Sequence, residues 1–376
     1  MTTPVAIPGV ELPEMDRAAR IRALRSRFDD LGIDSLAVTK QVNLRWLCGF
    51  TGSAGMLLVT ADGVVLVTDG RYETQAGAQV SAAGVDAEVR IASVAAVGPE
   101  LGRRYGLSRV GVEAESLSWA DAEVARGSWF PEAEIVATRG TVEALREIKD
   151  PGEVARIEAA AGIADRALAE VAPTLRGRTE VEVAVDLEAR MRTAGAESPA
   201  FDTIVASGPN GALPHHRPSS RRIEVGDLVV IDMGATVDGY RSDMTRTFLI
   251  GGRGPGTATA ERMLEVVSAA QQAGVDAVAA GIASRDVDAA ARRVIADAGW
   301  ADAFVHPTGH GVGLEIHERL RVAATSDATL AAGHVVTVEP GVYLPGIGGV
   351  RIEDTVEVAA DGCRRLTRTS LPATIG

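Results

Sequence analysis

The strongest constraint on the fold is an order of elements that occurs twice after residue 144. Helix patterns at about 151–171 and 180–194 precede strand patterns, and helix patterns at about 258–280 and 285–298 precede strand patterns again. The strand patterns are 203–207, 228–233 and 245–249 in the first case, and about 334–343 and 350–358 in the second. The repeated order predicts an internally duplicated α+β domain, and a pocket between two such halves is a common place for a site.

Two capping patterns mark the starts of the first pair of helices. Asp150-Pro151 is followed by Glu153, and Thr179 is followed three residues later by Glu182. An aspartate or threonine can accept a bond from the third helical residue, whose glutamate can bond back, and proline suits the first helical turn. Both helices are therefore predicted to begin at these residues.

Residues 1–143 predict a smaller α/β domain before the duplicated one. A chain of 376 residues is long for one core, so we expect two domains, 1–143 and 144–376. The smaller domain shows a hairpin signal at Asp62-Gly63, between strand patterns that span 56–67. Apolar residues of its first helix pattern share one face: Ile21, Leu24, Phe28 and Leu31. Its other strand patterns are 35–39, 109–113 and 133–138.

Composition excludes several classes of protein. The net charge of -13 and the pI near 5.0 argue against a nucleic-acid partner, which usually needs a basic face. Cys48 and Cys363 are the only cysteines, which favours a reducing cytoplasm over a disulfide framework. The first 15 residues do not have the pattern of a secretory signal, and no apolar run reaches the length needed to span a bilayer. We expect a cytoplasmic protein without a membrane partner.

Histidines and carboxylates are concentrated in the last part of the chain. Five of the six histidines fall in two short clusters, and acidic residues alternate with these clusters. Such side chains bind divalent metals and move protons near neutral pH. In order, the residues are His215, His216, Asp232, Asp243, His306, His310, His317, Glu339 and Glu353.

Asp232 and Asp243 are predicted to share one face of a hairpin. Asp238-Gly239 is a strong signal for a two-residue turn, which would pair Val237 with Tyr240 and Asp232 with Thr245. Asp243 would then be a diagonal neighbour of Asp232, at about 7–8 Å between backbones. Side chains at that spacing can converge on metals about 3.5–4 Å apart. The alternative is a turn aspartate and a solvent-facing one, which is weak because a carboxylate ending a buried strand needs a partner.

Glu339 and Glu353 end alternating strand patterns, so each is expected opposite an apolar face. The Gly/Pro-rich loop 345–349 would let these strands, at about 334–343 and 350–358, return as a pair. Two exposed glutamates are the simpler interpretation of either residue alone. Together with the aspartates and with His310, whose flanking glycines allow close backbone approach, they indicate a metal site.

These segments resemble the pita-bread metallopeptidases. The motifs are SDMTRTF, TGHGVGLEIHE, VEPGVY and RIEDT, and SGPNGALPHHRPS and GFTGSAG also look like that family. Within it the chain is most similar to aminopeptidase P and prolidase, which act on bonds before proline. The resemblance implies a catalytic pita-bread domain with a pseudo-twofold repeat, preceded by a creatinase-type α/β domain. It also implies short proline-containing peptides as substrates and a homodimer or a dimer of dimers.

The resemblance assigns roles to matching positions. Asp232 and Asp243 would hold the first metal, His310 and Glu339 the second, and Asp243 and Glu353 would bridge both. The other implied site residues are His215 and His317 as catalytic histidines, and His306 and Arg351 as residues lining the substrate site. His216 would be incidental.

The donor set is consistent with these roles. Four carboxylates and one imidazole favour manganese, with cobalt, iron or zinc as alternatives, over a thiolate-type zinc site. Two bound dications would lower the pKa of a water to give hydroxide near neutral pH. Glu339 would pass its proton to the leaving nitrogen, and His215 and His317 would hydrogen-bond the carbonyl.

Several functions remain open at this stage. The main expectation is an Xaa-Pro aminopeptidase, and the alternative is a prolidase restricted to Xaa-Pro dipeptides. Creatinase is similar in fold but lacks the metal ligands, and methionine aminopeptidase generally lacks such an N-terminal domain. A binding protein that lost catalysis is the alternative from another class, although the complete ligand set argues against it.

Overall fold

The computed structural model describes residues 10–251, 257–369 and 374–375. The chain divides into two compact units, Glu14–Arg146 and Glu147–Gly376, and the described residues 10–13 group with the second. Within the described ranges, no helix combines the length and apolar character needed to cross a lipid bilayer.

The first unit is built on a mixed six-stranded sheet in the order β4-β3-β2-β1-β5-β6. Its strands are β1 (Ser35–Val38), β2 (Met56–Thr60), β3 (Val64–Thr68), β4 (Glu88–Ile91), β5 (Arg109–Glu113) and β6 (Glu134–Thr138). Its helices are α1 (Arg17–Arg25), α2 (Phe28–Leu31), α3 (Gln41–Cys48), α4 (Glu73–Ala82), α5 (Val94–Arg104), α6 (Trp119–Val124) and α7 (Thr141–Arg146). The hairpin around Asp62-Gly63 is confirmed by the pairing of β2 with β3.

The single helical face predicted for the start of this unit is divided between two helices. A turn at Ser26 and Arg27 separates α1 from α2, and Ile21, Leu24 and Phe28 are buried. A helical period in side-chain burial can continue across a short turn, so periodicity did not reveal the break.

Four long helices of the second unit begin near the predicted residues. They are α8 (Pro151–Val171), α9 (Glu180–Thr193), α10 (Thr257–Asp276) and α11 (Ser284–Asp297). Both capping boxes are formed: the Glu153 amide donates to Asp150 Oδ1 at 2.9 Å, and the Glu182 amide donates to Thr179 Oγ1 at 3.2 Å. The reciprocal glutamate bonds are also present, so the start of each helix has two of its free amides satisfied.

Two antiparallel sheets carry the strands that matter for the site. Their orders are β12-β9-β8 and β14-β13-β15-β18-β19. The strands of the first half are β7 (Ser198–Pro199), β8 (Ile204–Ser207), β9 (Leu228–Met233), β10 (Ala235–Val237), β11 (Tyr240–Arg241) and β12 (Met244–Leu249). Those of the second half are β13 (Gly309–Gly311), β14 (Glu318–Val322), β15 (Val335–Val338), β16 (Gly341–Leu344), β17 (Gly348–Arg351), β18 (Asp354–Ala359) and β19 (Gly362–Arg365).

The repeated order predicted from the sequence is confirmed by the strand topology. In the first half, β9 and β12 pair and are joined through the hairpin β10–β11. In the second half, β15 and β18 pair and are joined through the hairpin β16–β17. The α+β class and the internal duplication therefore both hold.

The prediction of two long strands in the second half is wrong in one respect, because each strand is interrupted. The first breaks after Val338, at Glu339-Pro340, and the second breaks at Ile352-Glu353. Proline has no amide to donate to a ladder, and the Glu353 amide donates instead to Thr245 O at 3.1 Å, in β12 of the first half. Glu339 and Glu353 therefore lie where the chain changes sheets.

The helices of each half cover one face of that half's sheet. Val229 and Ile231 of β9 pack in a core cluster with residues of α8 and α9, and Val336 and Val338 of β15 pack in a cluster with residues of α10 and α11. Side chains alternate along a strand, so the residue that directly follows Ile231 or Val338 faces the other side. Asp232 and Glu339 are therefore directed away from the helices, as the alternation predicted.

Candidate metal centre and active site

The hairpin that carries Asp232 and Asp243 has the predicted register. Val237 pairs with Tyr240, and Asp232 pairs with Thr245. The two turn residues, Asp238 and Gly239, have φ values of 46° and 74°. Positive φ at both positions matches the twist of antiparallel strands, which explains why this dipeptide fixes the register.

Ligand-type atoms from both halves converge in the second unit. One side-chain atom each of Asp243, His310 and Glu353 lies within 4.8 Å of the other two. His310 Nε2 is 3.6 Å from Asp243 Oδ2 and 3.4 Å from Glu339 Oε1. The His310 Nδ1 lies 3.1 Å from Gly311 O, which favours the proton on Nδ1 and leaves Nε2 free to bind a cation.

A glycine allows this approach. A Cβ at Gly309 would lie 1.9 Å from Thr337 O, so any larger residue would push β13 away from β15. His310 would move with the strand. The expectation that the flanking glycines permit close backbone approach is confirmed at Gly309.

The electrostatics of the cluster favour a bound cation. Burial and the mutual repulsion of the carboxylates raise the pKa values of Asp243 and Glu353 well above their usual range, and burial raises the pKa of Glu339 as well. Asp232 Oδ1 and Glu353 Oε1 are buried and have no hydrogen-bond partner among the described residues. Buried acceptor oxygens without donors, beside an unprotonated imidazole nitrogen, fit divalent metal ions.

Two threonines orient the glutamates, and the sequence reasoning did not assign them a role. Thr245 Oγ1 donates to Glu353 Oε2 at 2.7 Å, and Thr337 Oγ1 donates to Glu339 Oε1 at 3.1 Å. Such bonds fix the direction in which a carboxylate presents its other oxygen. The signal was available, because Thr337 lies two residues before its glutamate and Thr245 lies opposite Asp232 in the predicted hairpin.

A chain of hydrogen bonds connects the two predicted lining residues to Asp232. Arg351 Nη2 donates to Asp232 Oδ2 at 2.7 Å, and its Nη1 donates to the Tyr343 hydroxyl at 2.9 Å. His306 Nε2 lies 2.9 Å from the same hydroxyl. Burial and the Arg351 charge lower the pKa of His306 to about 4, so the ring is neutral near pH 7. Tyr343 was missed as a site residue, although it ends the motif VEPGVY.

A cavity of about 580 Å³ opens onto these groups. All nine predicted side chains line it: His215, Asp232, Asp243, His306, His310, His317, Glu339, Arg351 and Glu353. The His317 ring packs edge-on against the His310 ring, with centroids 4.3 Å apart. Lining residues that the sequence did not indicate are Phe201, Asp202, Ile204, Pro214, Pro307, Ile316 and Arg321. His216 is not among the lining residues, and its ring bonds to Glu180 instead.

Comparison with protein families assigns both units. The model of metallopeptidase family M24 matches residues 155–360, and that of the Creatinase/Prolidase N-terminal domain matches residues 20–148. The first match covers more than half of the chain, which therefore belongs to metallopeptidase family M24.

Similar proteins and similar solved structures support the same assignment. The Xaa-Pro dipeptidase of Pyrococcus horikoshii is 36% identical over 353 residues, which cover 93% of this chain and 97% of that protein. The structure of an Xaa-Pro dipeptidase from Bacillus anthracis matches with a TM-score of 0.90 at 38% identity, covering 96% of this chain and 99% of that one. An X-Pro aminopeptidase from Thermotoga maritima matches with a TM-score of 0.84 at 33% identity, covering 92% and 100%.

These findings confirm the resemblance inferred from the motifs. The fold is a pita-bread metallopeptidase domain preceded by a creatinase-type N-terminal domain. The family implies divalent metal ions, and the cluster of Asp243, His310 and Glu353 provides ligands of the appropriate chemistry.

Proposed function

We propose that this protein is a two-metal exopeptidase that hydrolyses the bond between an N-terminal residue and a following proline. The observation that supports this most strongly is the convergence of four carboxylates and His310 in one cavity, which also contains His215 and His317. Relatives that cover nearly the whole chain are named Xaa-Pro dipeptidase and X-Pro aminopeptidase. Of the two activities, we propose Xaa-Pro aminopeptidase activity on short proline-containing peptides as the main one.

The proposed ligands divide between the two halves. Asp232 and Asp243 would hold one ion, His310 and Glu339 the other, and Asp243 and Glu353 would lie between them. We propose manganese, because oxygen donors outnumber nitrogen and no thiolate lines the cavity, with cobalt, iron or zinc as alternatives. Two bound dications would supply Lewis acidity and a nucleophile at neutral pH.

The remaining groups would bind and polarise the substrate. Glu339 would accept a proton from the nucleophile and pass it to the leaving nitrogen. His215 and His317 would hydrogen-bond the scissile carbonyl as charge develops on its oxygen. His306 and Arg351 would line the substrate pocket, and their bonds to Tyr343 would keep both side chains in place.

The cavity walls favour a proline ring. Phe201, Ile204, Pro307 and Ile316 are apolar lining residues near the ligand cluster. A bond to proline nitrogen is a tertiary amide without an N–H, so an apolar wall is a better neighbour for it than a hydrogen-bond acceptor. The sequence alone did not indicate these walls.

Arg321 favours a second candidate, a prolidase restricted to dipeptides. Its exposed side chain lines the cavity and forms no hydrogen bond or ion pair with any described residue. Burial and then the Arg321 charge lower the pKa of His317, which places this cation beside the proposed catalytic histidine. A free cation there is suited to the carboxylate of an Xaa-Pro dipeptide, which directly follows the scissile bond.

A length series tests both candidates. Purified protein loaded with Mn²⁺ would be incubated with Ala-Pro, Ala-Pro-Ala and Ala-Pro-Ala-Ala, and with Ala-Ala-Ala as the control. We expect N-terminal alanine to be released only when proline is the next residue. An aminopeptidase should cleave the longer peptides, whereas a dipeptidase should cleave Ala-Pro alone. A protein that binds metal yet cleaves no proline peptide with any first-row divalent ion would have a binding role instead.

Substitution of Arg321 separates the two candidates. For a dipeptidase, Arg321→Gln should raise the KM for Ala-Pro about tenfold or more, because a charged hydrogen bond is worth about 1.5–3 kcal/mol. Arg319→Gln is the matched control on the same strand, where the side chain is half exposed and pairs with Glu147. Equal effects of both substitutions would argue against a carboxylate site at Arg321.

Membership of this family suggests three further proposals. We propose domain limits of 1–143 and 144–376, a cytoplasmic location, and assembly as a homodimer or a dimer of dimers. Cys48 and Cys363 are both free, which agrees with a reducing compartment.

A further inference from the structure

We propose that Glu180 is a positioning residue that holds the loop 208–219, and with it His215, in place for catalysis. Glu180 is the first residue of α9 and lies outside the cavity lining. This inference rests on the proposed function, because it assigns Glu180 a part in the action of His215.

One carboxylate oxygen of Glu180 holds the start of the loop. Oε1 accepts from the Ser207 amide and from the Ser207 hydroxyl, both at 2.7 Å. It also accepts from Asn210 Nδ2 at 3.0 Å. Ser207 ends β8, so this oxygen fixes the point at which the chain leaves the sheet.

The other oxygen holds the end of the loop. Oε2 accepts from the Ser219 amide at 2.9 Å and from the Ser219 hydroxyl at 2.6 Å. His216 Nε2 lies 2.9 Å from the same oxygen, which requires a proton on that nitrogen. A single carboxylate thus bonds to both ends of the loop and to the residue next to His215.

The charge of Glu180 is well stabilised. Its side chain is fully buried, and although burial opposes ionisation, hydrogen bonds from Ser219 and Ser207 lower its pKa to about 2. Its place in the first turn of α9 adds the favourable field of the helix N-terminus. A buried anion with this many donors makes a rigid anchor, since loss of any donor would leave the buried charge less well compensated.

The loop is also fixed on its cavity side. Arg351 Nη1 donates to Pro214 O at 3.3 Å, directly before His215. Gly211 packs so closely on Gly349 that a Cβ on Gly349 would lie 2.0 Å from Gly211 O. His215 is therefore held between Glu180, through His216, and Arg351, through Pro214. Loss of either contact should leave the ring free to turn away from the cavity.

The test is Glu180→Gln, which keeps the shape of the side chain. Whichever way the amide is turned, its NH₂ group faces a backbone N–H, of either Ser207 or Ser219. We expect kcat to fall about 10- to 100-fold with little change in KM, because a displaced His215 weakens bonding to the transition state most. Glu182→Gln is the matched control: Glu182 is exposed in the same helical turn, and glutamine can still accept from the Thr179 amide and keep the capping box.

A double-mutant cycle distinguishes positioning from general stability. If Glu180 acts through His215, then Glu180→Gln should lower kcat by less than about twofold in a His215→Ala background. Bound metal should stay unchanged in all four proteins. An undiminished loss in that background, or full kcat in Glu180→Gln itself, would overturn the proposal.

Hydrogen exchange of the metal-free chain tests the tether without activity. Amides of residues 208–219 should exchange faster in Glu180→Gln than in the wild type, and unchanged exchange would refute the tether. Should Glu180→Gln fail to fold, His216→Ala removes one donor only and carries the same expectations. A wild-type protein that cleaves no peptide would refute the proposed function, while the exchange result would still decide whether Glu180 holds the loop.

Discussion

The two halves of the second unit have the same topology but present their carboxylates differently. In the first half Asp232 lies within β9, and a two-residue turn returns the chain to Asp243. In the second half, Glu339 and Glu353 lie at breaks between strands, and the longer hairpin β16–β17 connects them. The glutamates have one more methylene than the aspartates, which suits a backbone that has already left its sheet.

The difference shows how the halves depend on each other. Arg351 of the second half bonds Asp232 of the first, and Thr245 of the first half bonds Glu353 of the second. The Glu353 amide also donates to Thr245 O. Each half therefore orients a ligand of the other, and the geometry of the site requires both halves to be docked.

The largest effect is expected at Asp243, which is placed where both proposed ions would be held. Asp243→Ala should abolish turnover and remove bound metal, because the remaining carboxylates cannot hold both ions. Metal content by mass spectrometry and peptide cleavage would be measured together. Asp238→Asn is the control, since asparagine tolerates the positive φ of that turn and its oxygen can still accept from Arg156 Nε. Two ions per chain and full activity in Asp243→Ala would refute the two-metal interpretation.

The next largest effect, on metal affinity, is expected at the two threonines that bond the glutamates. Thr245→Val removes a bond between the halves, and Thr337→Val removes a bond within the second half. Loss of such an outer contact lowers metal affinity by about 10- to 100-fold. We expect Thr245→Val to be the more severe, because Arg351 Nε also bonds Thr245 Oγ1 at 3.1 Å. Calorimetric titration with Mn²⁺ measures both, and a weaker effect at Thr245 would contradict the interdependence of the halves.

A third effect concerns the residues next to the two histidines that we propose to be catalytic, His215 and His317. His216 bonds to buried Glu180, whereas Glu318, which follows His317, pairs with buried Lys149 at 2.9 Å. The folded pKa of Glu180 is about 2, below the ordinary 4.5, so its contribution is present above about pH 4.5 and lost as the pH falls towards 2. That contribution is on the order of 3 kcal/mol.

Thermal unfolding of the metal-free protein tests this dependence. Between about pH 5 and pH 3, the Tm of Glu180→Gln should fall less than that of the wild type. Glu170→Gln, at an exposed position on α8, should show the same change of Tm with pH as the wild type. Parallel slopes for all three proteins would show that Glu180 is not the acid-sensitive group.

The smallest effects, on Tm and activity, are expected in the two hairpin turns. Gly239 and Gly346 have φ values of 74° and 80°, which alanine adopts at a cost of about 1 kcal/mol. Gly239→Ala should also lower activity, because the short turn transmits any shift to Asp243. Gly346→Ala lies in the longer hairpin and should change the Tm alone. Matching losses of activity in both variants would show that hairpin length does not matter.

Local signals in the sequence predicted more of the first half than of the second. Asp238-Gly239 fixed a register because few dipeptides accept two positive φ values in succession. The alternating pattern around Glu339 predicted one continuous strand and gave no indication of the break. Pro340 was the residue that indicated it, because proline cannot donate to a strand ladder. Glu180 could not be recognised, since its partners lie 27 to 39 residues away and are assembled only by folding. Arg321 and the apolar walls were missed for the same reason.

The most direct test of the central claim is anomalous diffraction from crystals grown with Mn²⁺. The proposed site predicts two peaks per chain between the carboxylates of Asp243 and Glu353. One peak should also contact Asp232, and the other should contact His310 and Glu339. A single peak, or two peaks whose ligands come from one half alone, would contradict a metal centre built jointly by the two halves.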